Sequence, residues 1–228
     1  MKLLVLLAAG AAAFVYGRAW LEDHPQHNPW APLDLDNPRG WATAMKIGAL
    51  RSDPAACNAV LERSDITYTM LEPAGDGACR RENRLVLPES PLTPANPEMT
   101  CTVAVSLSQW LAKDVGPLAE EMLGSAVSRV EQLGTYNCRR VGGGDDGRWS
   151  QHATSNAIDI SAFVLGDGTR VSVLNDWGDG EDRGRFLRAV RDSACLNFGI
   201  VLSPEYNAAH ADHFHLDQSR GPPAGLCR

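Results

Sequence analysis

Clustered basic charge is missing from this chain. Its 228 residues hold 21 Lys and Arg against 28 Asp and Glu, a formal net charge of −7. No dense Lys/Arg run occurs, so the phosphate neutralisation that nucleic acid demands is not available. No internal repeat is present, and the glycine-rich stretch 142–147 lacks phosphate-loop spacing and reads as a flexible rim. Close cysteine pairs are also lacking. Cys57, Cys79, Cys101, Cys138, Cys195 and Cys227 are widely spaced, which argues against a thiolate zinc site. An even six in an exported chain reads as three disulfides with the pairing open.

A long apolar run is lacking too. Lys2 is followed by an uncharged, mostly apolar stretch from Leu3 to Gly17, closed by Arg18. That is shorter than the roughly 20 residues of a spanning helix and resembles a secretory signal. Residues 1–20 are therefore a signal peptide, or an uncleaved anchor in the inner membrane. The expected location is the periplasm or cell envelope.

Prolines crowd residues 21–40, which predicts an extended tether with His24 and His27 solvated. A single folded domain is expected over 41–228. Helices are predicted over 41–50, 55–62, 100–110, 117–123 and 183–196 from apolar spacing, with Pro54 in a first turn. Strands are predicted over 84–87, 157–163, 170–174, 198–202 and 212–217. Helices mostly first and strands later suggest α+β, an antiparallel sheet with helices packed on one face.

What the chain does hold is an uneven distribution of six histidines. One lies in Ser150-Gln151-His152-Ala153-Thr154-Ser155-Asn156-Ala157-Ile158-Asp159, and three in His210-Ala211-Asp212-His213-Phe214-His215. Two histidines and a carboxylate, plus a spare acid/base, match the inventory of a catalytic zinc site, which takes three protein ligands and leaves one position open. Seven residues separate His152 from Asp159. On a straight strand they point to opposite faces, and on a helix they stand about 10 Å apart. To meet one zinc the chain must fold back, and Thr154-Ser155-Asn156 supplies turn formers. His213 and His215, two apart on a strand, share a face.

The stretch Ser150-x-His152-x-x-Ser155-x-Ala157-x-Asp159 resembles the Ser-x-His-x-x-Gly-x-Ala-x-Asp signature of the D-Ala-D-Ala metallopeptidases, in the fold group of lysostaphin and hedgehog. The tail His210-x-x-His213-Phe214-His215 resembles the penicillin-insensitive murein endopeptidases. Residues 41–227 resemble most closely the bacterial extensin-like C-terminal domain family, through Tyr136-Asn137-Cys138-Arg139, Asn156-Ala157-Ile158-Asp159-Ile160, Phe186–Arg191 and Tyr206–Asp217. Hydroxyproline-rich wall repeats, which the family name implies, are not present.

The resemblance implies a zinc site on a D-Ala-D-Ala metallopeptidase/hedgehog-like fold, with His152, Asp159 and His215 as Zn2+ ligands. It implies hydrolysis of D-Ala-linked peptide bonds in peptidoglycan stem peptides or cross-links. The alternative is a zinc-stabilised cell-wall-binding or protein-interaction domain without turnover. Two residues compete as general base. Asp212 occupies the position of a carboxypeptidase Glu, one methylene shorter, and His213 that of the endopeptidase histidine. Strand parity favours His213, leaving His210 and Asp212 as outer partners. Arg139 is expected to stabilise an oxyanion or hold a substrate carboxylate. Ser155 stands where the signature has Gly, so a positive φ there would carry strain.

Overall fold

The computed structural model describes residues 2–219 and 226–228. An N-terminal helix α1 (Lys2–Asp23) is apolar, fully unburied, and continues past Arg18. Such a helix suggests a signal peptide or anchor, and the disulfides below suggest an exported protein. The domain helices are α2 (Thr43–Leu50), α3 (Pro54–Arg63), α4 (Cys101–Trp110), α5 (Gly116–Leu123), α6 (Val173–Asp176) and α7 (Asp182–Ala194).

Local chemistry sets their ends. Asp53 caps α3 by accepting the Ala56 N–H at 2.9 Å, with Pro54 at the first helical position. Thr100 caps α4, and α5 stops at Gly124 in the left-handed region, φ 70°. Helix α4 is buried on nearly every side. A π-helical turn, Leu111–Val115, fuses it to α5, where the apolar spacing had predicted two separate helices.

Among the described residues the strands are, in chain order, β1 (Thr69–Met70), β2 (Arg84–Val86), β3 (Leu92–Thr93), β4 (Met99–Thr100), β5 (Val127–Gly134), β6 (Ala157–Leu165), β7 (Arg170–Ser172), β8 (Ile200–Leu202), β9 (Phe214–Asp217) and β10 (Leu226–Cys227). The first sheet is β1-β2-β4; the second runs β10-β8-β9-β6-β5-β3, with β7 also on β6. The architecture is α+β, as expected, but the main sheet is mixed. Its centre is antiparallel, while β3 and β10 join the edges in parallel. Both arrive through long connections, which free an edge strand from hairpin geometry.

Strand β5 was not anticipated. Its burial alternates poorly, with Val130 and Gln132 inside and Leu133 exposed, and its register against β6 shifts three times. A period-two signal is lost under such irregularity. One shift has a structural use. Glu131 pairs with Ala162 while Gln132 pairs with Ile160, leaving Ser161 as an extra residue in β6. That bulge reverses side-chain parity, so Ile158 and Ile160 before it and Phe163 and Leu165 after it all reach the same core. Phe163 then meets Trp110 of α4 and Phe186 of α7 edge-on. The opposite face of β6 at Asp159 is left for polar groups.

Residues 21–40 are not an extended tether: 21–23 complete α1. Pro25–His27 form a 3-10 turn, and Leu33 and Leu35 are buried in the core. The proline-rich backbone offers carbonyls that the domain uses: Lys46 donates to Pro25 O at 2.6 Å and Arg63 to Leu33 O at 2.7 Å. Nor are His24 and His27 merely solvated, since both stack on Trp20.

The cysteines pair as Cys57–Cys101, Cys79–Cys138 and Cys195–Cys227. The first ties α3 to α4 and the third holds β10 on the sheet. With partners 44, 59 and 32 positions apart in sequence, loop-closure entropy contributes on the order of 4 kcal/mol for each.

Candidate metal centre

His152 sits in a 3-10 turn, Gln151–Thr154, capped by Ser150, whose hydroxyl accepts the His152 N–H at 3.2 Å. Ser155 closes the turn in the left-handed region at φ 54°, and β6 begins two residues later. This is the fold-back that the seven-residue spacing demanded. A non-glycine residue there costs about 1 kcal/mol. It is held from three sides: the Ser155 carbonyl accepts from Thr100 N at 3.0 Å, its hydroxyl donates to Glu98 at 3.1 Å, and Glu98 is paired with Arg81 and Arg84.

Asp159 of β6 lies directly opposite His215 of β9, so the two side chains rise together from one face. His152 Nε2 is 3.2 Å from Asp159 Oδ1 and 3.0 Å from His215 Nδ1, which is itself 3.0 Å from Asp159 Oδ1. Among the described residues these three are the group of His, Cys, Asp or Glu disposed to share an ion. Ligand atoms on a tetrahedral zinc, at bonds of roughly 2.0–2.1 Å, stand about 3.3 Å apart.

The hydrogen bonds behind the rings decide what the converging atoms are. A carbonyl can only accept, so His152 Nδ1–H donates to Thr135 O at 3.2 Å. His215 Nε2–H donates to the Asp217 carboxylate at 2.9 Å. Both imidazoles thereby turn lone pairs, not N–H groups, toward each other and toward the Asp159 carboxylate. Three buried lone pairs at about 3 Å repel unless a cation lies between them, so the residues fit a divalent metal.

Without a metal, a proton does part of that work. Burial raises the Asp159 carboxyl, but hydrogen bonds and charge from His152 and His215 outweigh it and hold it well below the usual carboxylate range. Burial alone would lower His215; its bonds to Asp159 and Asp217 instead push it up to about 9.

The other sequence candidates gather at the rim. His213 precedes β9 and places Nε2 3.7 Å from Asp159 Oδ1, while its Nδ1–H donates to Asp212 at 2.7 Å. The two candidate bases are thus partners: Asp212, exposed, orients His213. Burial, then His213 and His215, push His210 down to about 4, so it is neutral. Its ring stands 5.2 Å from that of His213, and its Nδ1–H donates to Asn207 Oδ1 at 2.7 Å. Asn137 N donates to His152 O and Ser150 N to Arg139 O. This lays Tyr136–Arg139 along the ligand turn and leaves the Arg139 side chain exposed with no hydrogen bond or ion pair among the described residues. Its charge nonetheless reaches His210. The Cys79–Cys138 disulfide fixes that segment next to Arg139.

Sequence reasoning missed Asp217, Thr135 and Glu98. Only Asp217 had a local signal, since residues 213, 215 and 217 share strand parity. Asp217→Asn is expected to weaken zinc affinity by about 10- to 100-fold with the fold intact, measured by competition with a chromogenic chelator. Unchanged affinity would remove Asp217 from the site.

No curated protein and no solved structure is matched by the chain. The model of the family described as extensin-like protein C-terminus matches residues 55–228, which takes in the disulfides, the ligand turn and both sheet strands of the centre. The chain belongs to the extensin-like protein C-terminus family.

Proposed function

We propose that this domain is a zinc-dependent peptidase of the cell envelope that hydrolyses D-Ala-linked peptide bonds in peptidoglycan stem peptides or cross-links. The observation that carries the reading is the convergence of three lone-pair atoms on one point, with both ring N–H groups already committed to Thr135 and Asp217. The likeness of the ligand turn and the His-x-His tail to the D-Ala-D-Ala metallopeptidases and murein endopeptidases supplies the substrate class. Zinc in such a site supplies a Lewis acid and lowers the pKa of water toward roughly 7.

The chain's own residues account for the rest. His213 donates its Nδ1–H to Asp212, which turns Nε2 toward the ligand carboxylate as the atom placed to take the proton of an attacking water. His210, neutral, adds no competing charge. Arg139 stands exposed at the rim, where a guanidinium holds a substrate carboxylate or a developing oxyanion.

Zinc analysis of the purified chain, together with chromatography of digested peptidoglycan, tests the reading. One equivalent of zinc and shortened or unlinked stem peptides are expected; a zinc-free protein would overturn it. His213→Ala is expected to retain zinc and lose about 10²- to 10⁴-fold in rate. One observation favours a zinc-stabilised binding domain instead. Asp212, at the carboxypeptidase general-base position, gives its carboxylate to His213 and not to the ligand set. If zinc is bound and neither wild type nor His213→Ala releases any product, the binding domain stands.

A further inference from the structure

The junction between α1 and the domain is built as a rigid aromatic cluster. Trp20, on the last turn of α1, stacks on His24 at 4.4 Å and on His27 at 5.4 Å, and His27 stacks on Trp41 at 6.0 Å. His24 Nδ1–H donates to Trp20 O at 2.8 Å, closing the helix end. Lys46 holds Pro25. Gly40 lies so close to Gln26 that a Cβ there would come within 2.2 Å of the Gln26 carbonyl oxygen. A flexible linker needs none of these contacts, and a leader destined for removal needs no ring stack onto the domain behind it.

The cluster nonetheless faces water. Trp20 is 46% exposed, Trp41 63% and Met45 54%, while Trp30, in the same folded-back segment, reaches 83%. Trp30 exceeds every other large apolar side chain described. Tryptophans in this state belong at the headgroup layer of a bilayer, with an apolar body and a polar N–H. Helix α1 has matching dimensions. Leu3 to Leu21 spans about 28 Å at 1.5 Å per residue, close to the roughly 30 Å of a hydrocarbon core. Arg18 pairs with Glu22 at 3.3 Å, so its charge snorkels to the same layer as Trp20. The three disulfides need an oxidising compartment, which places the domain outside and the N-terminus of α1 on the cytoplasmic side.

We propose that α1 is retained as a membrane anchor and that Trp20, Trp30 and Trp41 form a collar in the lipid headgroups, seating the domain directly on the bilayer. The proposal is independent of the zinc reading. The test uses the full chain exported in a bacterial host, then reconstituted in bilayers containing brominated phospholipid. The expected intact mass includes α1, and the protein stays with the membrane through carbonate and high-salt washes. Brominated lipid quenches tryptophan fluorescence. The variant Trp20→Phe, Trp30→Phe, Trp41→Phe is expected to stay membrane-bound and to lose most of that quenching. Trp30→Phe alone, whose ring meets no other ring among the described residues, is expected to lose part of it and serves if the triple variant does not fold. A soluble product whose N-terminus lies beyond α1 would overturn the proposal. So would an anchored protein whose quenching these substitutions leave unchanged.

Discussion

Alanine at position 152 is expected to abolish both zinc retention and hydrolysis. Purified His152→Ala should carry zinc at background level, and stem-peptide release should fall by roughly three orders of magnitude or more, as several kcal/mol of charge stabilisation disappear. The reason is geometric: His152 Nε2 closes the triangle with Asp159 and His215, and two ligands do not make a zinc site. Removing zinc from the wild type with a chelator should have the same effect on rate. It should also expose a proton linkage. With the metal gone, His215 is raised to about 9 and is protonated at pH 7. Loading zinc at that pH should release about one proton, seen by calorimetry in buffers of different ionisation enthalpy. The folded pKa lies above the unfolded one, so this proton stabilises the metal-free protein below about pH 6.5, and the contribution is lost as pH rises through 9. Zinc affinity moves the opposite way, strengthening over the same interval. Zinc content of His152→Ala equal to wild type would refute the ligand assignment.

Glu98→Ala is expected to produce the largest loss of stability outside the apolar core, about 3–5 kcal/mol by urea unfolding. Glu98 pairs with Arg81 and Arg84, and all three side chains are at most one-fifth exposed. Deleting the carboxylate leaves two guanidinium groups facing each other with little water to screen them. It also frees the Ser155 hydroxyl at the strained turn, so zinc affinity should weaken alongside stability although residue 98 touches no ligand. Arg80–Glu82 is the control. That pair is exposed on both sides, and Glu82→Ala should leave the unfolding midpoint where it is. Equal midpoints for the two variants would show that the Glu98 hub does not support the turn.

Much of the metal centre is readable because its logic is local. A spacing of seven from His152 to Asp159 forces a reversal on any chain that brings them together. Ser155 at φ 54° provides it. A spacing of two puts His213 and His215 on one side of the β9 strand direction, and the same parity extends to Asp217, a step the pattern permitted but did not demand. Between His213 and Asp212, strand parity favoured His213 as the base, but parity does not say what a carboxylate one residue away does. The hydrogen bond at 2.7 Å makes it an orienting partner. The proline-rich stretch 24–41 misled for a related reason. Proline density disfavours regular structure, yet it says nothing of where the irregular backbone lies, and here it packs on α2 and α3.

By itself, then, the amino-acid sequence determined the α+β class, the apolar leader and the disulfide-forming cysteines, through composition and through spacing over short stretches where backbone periodicity dictates direction. The resemblance of the ligand turn and the His-x-His tail to known signatures is what pointed to His152, Asp159 and His215. The tertiary structure alone decided which cysteines pair, that β5 lies beside β6, that a bulge at Ser161 lets Phe163 and Leu165 share the core with Ile158 and Ile160, and that Thr135 and Asp217 hold the imidazoles with lone pairs inward. These depend on strand register and on partners up to 59 residues apart in sequence. Such partners are selected by the free energy of the whole packed core and leave no periodic trace along the chain.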